Sequence, residues 1–141
     1  MSFLIDTNVV SELIKGSPNR GVVKWVNSVD EDRIYLSVVT IAEIRNGIER
    51  LTDGSKRRQL ESWLTMDVSL RFDNRILPID YEVASEWGSV IAERQEQGRP
   101  IGVMDSFIVA TARVHRLTLV TRNTSDFFGS LEEIVNPWVD E

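Results

Sequence analysis

The chain has 141 residues, 42% of them hydrophobic, which is enough for one domain with an apolar core. Sixteen basic and twenty-two acidic residues give a net charge of −6, which disfavours general nucleic-acid binding through lysine and arginine. The chain has no cysteine, which excludes disulfides, thiolate zinc sites and thiol nucleophiles and suits the cytoplasm, and no apolar run approaches a membrane span.

Five short apolar runs are predicted to form strands, at 3–5, 33–37, 75–79, 117–121 and 134–135. Apolar residues at helical spacing occupy the intervals and predict helices around 9–14, 22–29, 41–51, 55–71, 81–97 and 104–116. Strands that are separated by helices pair in parallel. The sequence therefore predicts one α/β domain over residues 1–141, with a central parallel sheet of four to five strands flanked by helices.

Four acidic residues lie where a strand ends or a helix begins: Asp6, Glu43, Asp105 and Asp126. In an open α/β sheet those points meet at one edge, so we expect the four carboxylates to converge. Each acid also has a purely structural explanation. Asp6 and Asp126 fit helix caps, Glu43 fits a capping box with Thr40, and Asp105 fits the favourable first turn of a helix.

The structural explanations weaken when the four acids are taken together. Two unit charges about 5 Å apart repel by roughly 3 kcal/mol at an effective dielectric constant near 20, which exceeds the energy of one cap. A hard divalent cation reverses that sign, and carboxylate oxygens are the ligands that Mg²⁺ or Mn²⁺ prefers. Such an ion activates a bound water for in-line attack on a phosphodiester. The acids therefore favour a metal-dependent phosphodiester hydrolase.

The predicted catalytic residues are the four acids, with Asp6 and Asp105 as the best direct metal ligands. Glu43 either binds the metal or orients the attacking water. Asn123 and Asp126 compete for the fourth position. The polar residues beside these acids are predicted to position water or substrate: Thr7, Asn8, Thr121, Arg122 and Asn123.

The single histidine, His115, lies ten residues beyond Asp105 on the same predicted helix, about 15 Å along its axis. A serine triad is therefore excluded, and a general base must be a carboxylate or a metal-bound hydroxide. The basic stretch from Arg45 to Arg58 either guides an RNA backbone or is a solvated helix face.

Two other classes gather acids at a sheet edge. A phospho-acceptor receiver domain requires a lysine after a late strand, whereas the last lysine here is Lys56. A haloacid-type phosphatase requires Asp-x-Asp, whereas Asn8 replaces the second aspartate. A non-catalytic binding module, in which the acids serve only as caps, is a further alternative.

Five motifs in this order resemble PIN-domain ribonucleases, specifically the toxins of VapBC-type toxin–antitoxin modules and, among those, the FitB-like group: Leu4–Asn8, Ser37–Ile44, Asp105–Ala112, Val120–Thr124 and Asn136–Trp138. The resemblance implies a PIN-like sheet, a Mg²⁺- or Mn²⁺-dependent endoribonuclease and homodimers. It also implies inhibition by a VapB-type antitoxin whose tail fills the active-site groove and whose DNA-binding domain represses the operon.

The metal-binding acids of that family fall on Asp6, Glu43 and Asp105 of this sequence. The family's fourth acid falls at or near Asn123, which is an amide here, with Asp126 three residues further on. An amide is a weaker and uncharged ligand. The sequence therefore leaves open whether one metal or two are bound, and which of these two residues fills the fourth position.

Overall fold

The computed structural model describes residues 1–140. Five strands form one sheet, with the bounds β1 Phe3–Ile5, β2 Ile34–Ser37, β3 Ile76–Leu77, β4 Thr118–Val120 and β5 Ile134–Val135. All neighbouring strands pair in parallel, in the order β3-β2-β1-β4-β5. The predicted parallel sheet of four to five strands is confirmed, and β1 lies at its centre.

Within residues 1–140 the α-helices are α1 Thr7–Leu13, α2 Arg20–Ser28, α3 Val38–Glu49, α4 Ser55–Ser62, α5 Ser69–Arg71, α6 Tyr81–Glu96, α7 Val103–His115 and α8 Thr124–Phe127. A π-helical segment, Trp63–Val68, joins α4 to α5, and a 3₁₀ turn, Glu31–Arg33, precedes β2. None of the helices in this part of the chain is long and apolar enough to cross a membrane.

The sheet separates two apolar layers, and the alternation along β1 shows why. Phe3 and Ile5 face the layer formed with α1, α2, α3 and the π-helical segment, whereas Leu4 faces the layer formed with α6 and α7. Successive side chains of a strand point to opposite faces, so a strand covered on both faces is apolar throughout. The whole of β1 is buried, which fixes the residue that follows it at the edge of a rigid sheet.

The C-terminal tail folds back onto the start of α2. The side chain of Asn19 accepts hydrogen bonds from the Gly21, Val22 and Val139 amides and donates one to the Val139 carbonyl. A Cβ atom at Gly21 would lie 2.3 Å from the Pro137 carbonyl oxygen. Only glycine therefore permits this approach of tail and helix.

Candidate active site

Adjacent strand ends bring Asp6 and Thr121 together. Asp6 directly follows β1 and Thr121 directly follows β4, and these two strands are paired through Ile5 and Val120. The Asp6 amide donates to the Val120 carbonyl at 2.9 Å, which continues the sheet by one residue. The β2 end joins the same edge through Ser37, after which α3 begins.

Asp6 is only 6% exposed and its two carboxylate oxygens have different partners. Oδ1 accepts from the Thr7 amide at 2.8 Å, which makes Asp6 the N-cap of α1. Oδ2 accepts from the Thr121 hydroxyl at 2.8 Å, a contact that a cap does not need. Burial raises the pKa of Asp6, the hydrogen bonds from Thr121 and Thr7 oppose the rise, and the charges of Glu43 and Asp126 add to it.

The Thr121 hydroxyl connects the two loops that carry the site. It donates to Asp6 and accepts from the Asn8 side-chain amide at 3.2 Å and from the Asn123 backbone amide at 3.1 Å. Thr121 is fully buried, so it acts by orienting Asp6 and Asn8. Asn8 in turn accepts from the Arg122 amide at 3.3 Å, which ties the start of α1 to the turn after β4.

Glu43 lies in the interior of α3, and its carboxylate accepts a hydrogen bond from the Thr7 hydroxyl at 2.7 Å. The Thr7 hydroxyl is also 3.3 Å from that of Thr40. The capping-box explanation of Glu43 is wrong, because Ser37 caps α3 by accepting from the Val39 amide. The contact with Thr7 holds Glu43 toward α1 and Asp6.

Asp105 is the third residue of α7, whose N-cap is Gly102. Burial raises the pKa of Asp105 to about 6, helped by the charges of Asp6, Asp126 and Glu43, while Arg94 opposes the rise. The acids are therefore close enough to repel one another. A carboxylate in this position is stabilised when a cation is bound beside it.

Asn123 and Asp126 lie on the turn and the short helix that follow β4. Asn123 is the N-cap residue of α8 but its side chain makes no capping bond. Asp126 is within α8, so its predicted role as a cap is wrong, and its amide donates to the Asn123 carbonyl at 3.1 Å. The charge of Asp126 acts on both Asp6 and Asp105, so its field reaches the site.

The Arg122 side chain contacts the C-terminal tail. Its guanidinium carbon lies 5.5 Å from the ring centroid of Trp138 in the C-terminal tail, a cation–π geometry. Only its backbone amide contacts the site, through Asn8. The side chain of Arg122 thus fastens the tail to the turn after β4.

The structure also places the residues that sequence analysis had set aside. His115 is the last residue of α7 and Asp105 is in the first turn, so they lie at opposite ends of that helix. In the basic stretch, Arg57 pairs with Glu49 at 2.7 Å and with Glu61 at 2.8 Å. Arg45 pairs with Glu49 at 3.2 Å and Arg58 with Asp53 at 3.8 Å, so surface ion pairs account for three of the basic residues in this stretch.

Sequence analysis missed two residues that fix the start of α7. The Trp87 indole donates to the Ser106 hydroxyl at 2.7 Å, and Ser106 donates to the Val103 carbonyl at 2.5 Å. Trp87 also stacks on Phe107, with 5.3 Å between ring centroids. These contacts lie on both sides of Asp105 along the helix turn. In the sequence, Trp87 has the helical spacing of an ordinary core residue. The sequence therefore could not predict its hydrogen bond to Ser106.

The residues at this edge fit a hard divalent cation. Among residues 1–140 no three His, Cys, Asp or Glu side chains come close enough to form a complete metal-binding group. Mg²⁺, however, keeps several waters and needs only one or two carboxylates from the protein. Buried, mutually repelling carboxylates supply both the oxygen ligands and the charge for such an ion.

A family model for the PIN domain matches residues 3–129, and the chain belongs to the PIN-domain family. Toxin FitB of Neisseria gonorrhoeae is 39% identical over 137 residues, which are 97% of this chain and 99% of FitB. VapC ribonuclease Y4jK of Sinorhizobium fredii is 35% identical over 135 residues, 96% of each chain. The resemblance inferred from the motifs is confirmed.

Solved structures agree with the sequence comparison. A structure of FitAB bound to an IR36 DNA fragment has a TM-score of 0.90 at 37% identity, covering 99% of this chain and 97% of the other. A toxin–antitoxin complex from Klebsiella pneumoniae has a TM-score of 0.73 at 30% identity, covering 99% and 100%.

Proposed function

We propose that this chain is the toxin of a type II toxin–antitoxin module and a divalent-metal-dependent endoribonuclease. The observation that supports the proposal is that the charges of Asp6, Asp126 and Glu43 all act on Asp105, in a PIN-domain chain that resembles a VapC ribonuclease along nearly its whole length. We assign residues 1–141 to a single PIN domain that acts in the cytoplasm.

Asp6 and Asp105 would bind the ion directly, and Glu43 would bind it directly or through a water. We assign the ion as Mg²⁺ or Mn²⁺ because the ligands are hard oxygens. When bound, the ion lowers the pKa of a coordinated water and neutralises charge on the phosphate. Thr121 and the Thr7 amide keep Asp6 fixed, and the Thr7 hydroxyl keeps Glu43 directed at the site. Glu43 has the reach to orient the attacking water.

Hydrolysis forms a bond between the water oxygen and phosphorus and breaks one P–O ester bond of RNA, and the departing ribose oxygen takes up a proton from solvent. No histidine or thiol is available at the site, so the proton of the water passes to a carboxylate or to solvent. The Asn8 side-chain amide and the Asn123 backbone amide both donate to the Thr121 hydroxyl on the β4 side of the site. We assign Asn8 and Asn123, with Asp126, to substrate positioning. A bound cation would invert the field at the acids, so the net charge of −6 does not describe the field that RNA would meet there.

The partners that we assign are a cognate VapB-type antitoxin, a second copy of the chain in a homodimer, and operator DNA reached only through the antitoxin. Support comes from the FitAB–DNA structure and the Klebsiella complex. A cavity of about 220 Å³ lies between α1 and the π-helical segment. Its lining combines apolar side chains, among them Val10, Leu13, Ile14, Val26, Trp63 and Val68, with the charged Glu31, Asp67 and Arg71. Met66 of the π-helical segment and Leu70 of α5 are exposed but do not line this groove.

Cleavage of RNA by the purified chain, freed of antitoxin, tests the proposal. Reactions contain Mg²⁺, Mn²⁺ or EDTA, and compare the wild type with Asp105→Asn. Asp53→Asn is the matched control, because Asp53 is 90% exposed in the turn beyond α3. We expect fragments that require metal, with a loss of at least about 100-fold in Asp105→Asn, since a metal supplies several kcal/mol to the transition state.

Equal cleavage by the two variants, or cleavage that persists in EDTA, would contradict the assignment of the metal site. A folded, antitoxin-free chain that cleaves no RNA under any condition would instead favour a binding module whose acids serve as caps.

A further inference from the structure

Arg94 is an unusual buried residue beside the proposed nuclease site. It lies on α6 and is 5% exposed, although arginine is rarely buried without an acidic partner. A guanidinium stays charged in a protein and donates through a rigid planar fork. Moving this charge from water into the interior costs free energy. The contacts that Arg94 makes there therefore indicate its role.

The hydrogen bonds of Arg94 connect three separate segments. Nε donates to the Arg99 carbonyl at 2.7 Å, in the loop that leads into α7. Nη1 donates to the Asp126 carbonyl at 3.1 Å in α8, and to the Ser130 hydroxyl at 2.8 Å after it. The three acceptors are two carbonyls and one hydroxyl, all of them neutral. Within residues 1–140, therefore, the guanidinium of Arg94 forms no ion pair.

These segments lie next to two acids of the site. The Arg99 loop sets the start of α7 and hence Asp105, while α8 carries Asp126 and begins at Asn123. The unneutralised charge of Arg94 also acts on Asp105. One side chain therefore fixes the distance between the loop before Asp105 and the helix that carries Asp126.

We propose that Arg94 is a positioning residue of the nuclease: its guanidinium clamps the 123–130 segment against the loop before α7, and so holds Asp126 and Asn123 in register with Asp105. The inference rests on the proposed function. In this proposal Arg94 does not touch the substrate or the metal, and acts through two backbone carbonyls and the Ser130 hydroxyl of these two segments.

Arg113 provides a matched control on α7. It also donates to Ser130, through the carbonyl oxygen at 3.0 and 2.8 Å, but its charge is paired with Glu86 and Glu93. Arg113→Met therefore removes a partly buried anchor of the same loop without releasing Arg99 or Asp126. Arg94→Met removes all three of the Arg94 contacts. Arg94→Lys keeps the positive charge but cannot reproduce the planar set of guanidinium donors. It replaces Arg94→Met as the test variant if Arg94→Met does not fold.

The experiment combines amide hydrogen exchange with cleavage kinetics and metal titration. For Arg94→Met and Arg94→Lys we expect exchange at 123–128 to accelerate at least about 10-fold, kcat to fall about 10-fold or more with KM little changed, and Mn²⁺ binding to be retained. For Arg113→Met we expect lower unfolding stability, with exchange at 123–128 and kcat within about 2-fold of the wild type.

Wild-type exchange at 123–128 in both Arg94 variants would overturn the inference, and so would equal losses of kcat in the Arg94 and Arg113 variants. The exchange measurement does not require RNA cleavage. If the wild type does not cleave RNA, the proposed function is wrong. The positioning role of Arg94 is then tested by amide hydrogen exchange at 123–128 alone.

Discussion

At the scale of single residues, the site consists of carboxylates that repel one another. Asp6 is buried, and its ionised form is supported by the Thr121 hydroxyl and the Thr7 amide. Asp105 has Arg94 as its only opposing charge among the main influences on its pKa. Repulsion between these carboxylates destabilises the metal-free protein, and the same negative charge would attract a cation.

Replacing Thr121 with valine tests the support of Asp6. A hydrogen bond to a charged group contributes about 1.5–3 kcal/mol, so its loss raises the pKa of Asp6 further and is expected to lower cleavage about 10-fold or more at neutral pH. The acidic limb of the pH–rate profile moves to higher pH. Thr118→Val is the control, since Thr118 bonds Glu133 at the opposite end of β4. Equal profiles for the two variants would refute this role.

The raised pKa of Asp105 has a consequence for stability. An acid whose pKa is about 6 when folded, above its unfolded value, binds its proton more tightly in the native state. The metal-free wild type therefore loses stability as pH rises from about 4 to about 6. Asp105→Asn removes this loss and is expected to gain about 1 kcal/mol above pH 6, a discounted figure because Asp105 is half-buried.

Urea unfolding of the metal-free wild type and Asp105→Asn, from pH 4 to pH 7.5, measures this effect. The difference between the two proteins should grow between pH 4 and pH 6 and then level off. A difference that is constant with pH, or a variant less stable than the wild type above pH 6, would contradict the electrostatic explanation.

At the scale of elements, apolar runs and helical spacing predicted all five strands and the main helices. The start of α3 was misjudged because Thr40 and Glu43 have the spacing of a capping box, whereas Ser37, three residues earlier, is the cap. The π-helical segment within the predicted 55–71 helix has no sequence signal, since its apolar stripe fits either geometry. Arg94 was missed because charged residues on either side of it on α6 are typical of an exposed face.

The four acids were predicted because strand ends of a parallel sheet meet at one edge, whichever order the strands take. The hydrogen bond from the Thr121 hydroxyl to Asp6 was not predictable. It depends on the pairing of β1 with β4, a contact between residues more than a hundred positions apart. Hydrophobic pattern fixes which face of a strand is buried but does not select its neighbour.

The contact between α2 and the tail is tested by Gly21→Ala. The new Cβ would lie 2.3 Å from the Pro137 carbonyl, so the tail must shift at an expected cost of about 1–3 kcal/mol. Gly47→Ala in α3 is the control, because nothing lies within 4 Å of its Cβ, and it should gain about 0.5–1 kcal/mol from helix propensity. Urea unfolding measures both. Equal effects of the two changes would refute the close approach.

At the scale of the whole molecule, two surfaces have different functions. The carboxyl edge of the sheet holds the acids, whereas the groove beside α1 and the π-helical segment is lined mainly by apolar side chains. Met66 and Leu70 are exposed, and each is next in sequence to a residue that lines the groove, Asp67 and Arg71. We assign this groove to the antitoxin.

Leu70→Glu tests that assignment. We expect binding of the antitoxin encoded with the chain to weaken about 10- to 100-fold, as for a central apolar contact, with cleavage by the free toxin unchanged. Ser69→Glu places the same charge on the neighbouring exposed residue and should have a smaller effect. Calorimetry with the purified pair gives both affinities. Equal affinities for the two variants would place the antitoxin elsewhere.

The central claim is that acids from separate parts of the chain form one divalent-metal site, and direct titration with Mn²⁺ tests it best. Binding is measured by electron paramagnetic resonance at pH 7.5, without RNA, for the wild type, Asp105→Asn and the exposed control Asp53→Asn. We expect saturable binding by the wild type and Asp53→Asn, and affinity at least about 10-fold weaker for Asp105→Asn. Equal binding by all three proteins, or none by the folded wild type, would contradict the claim.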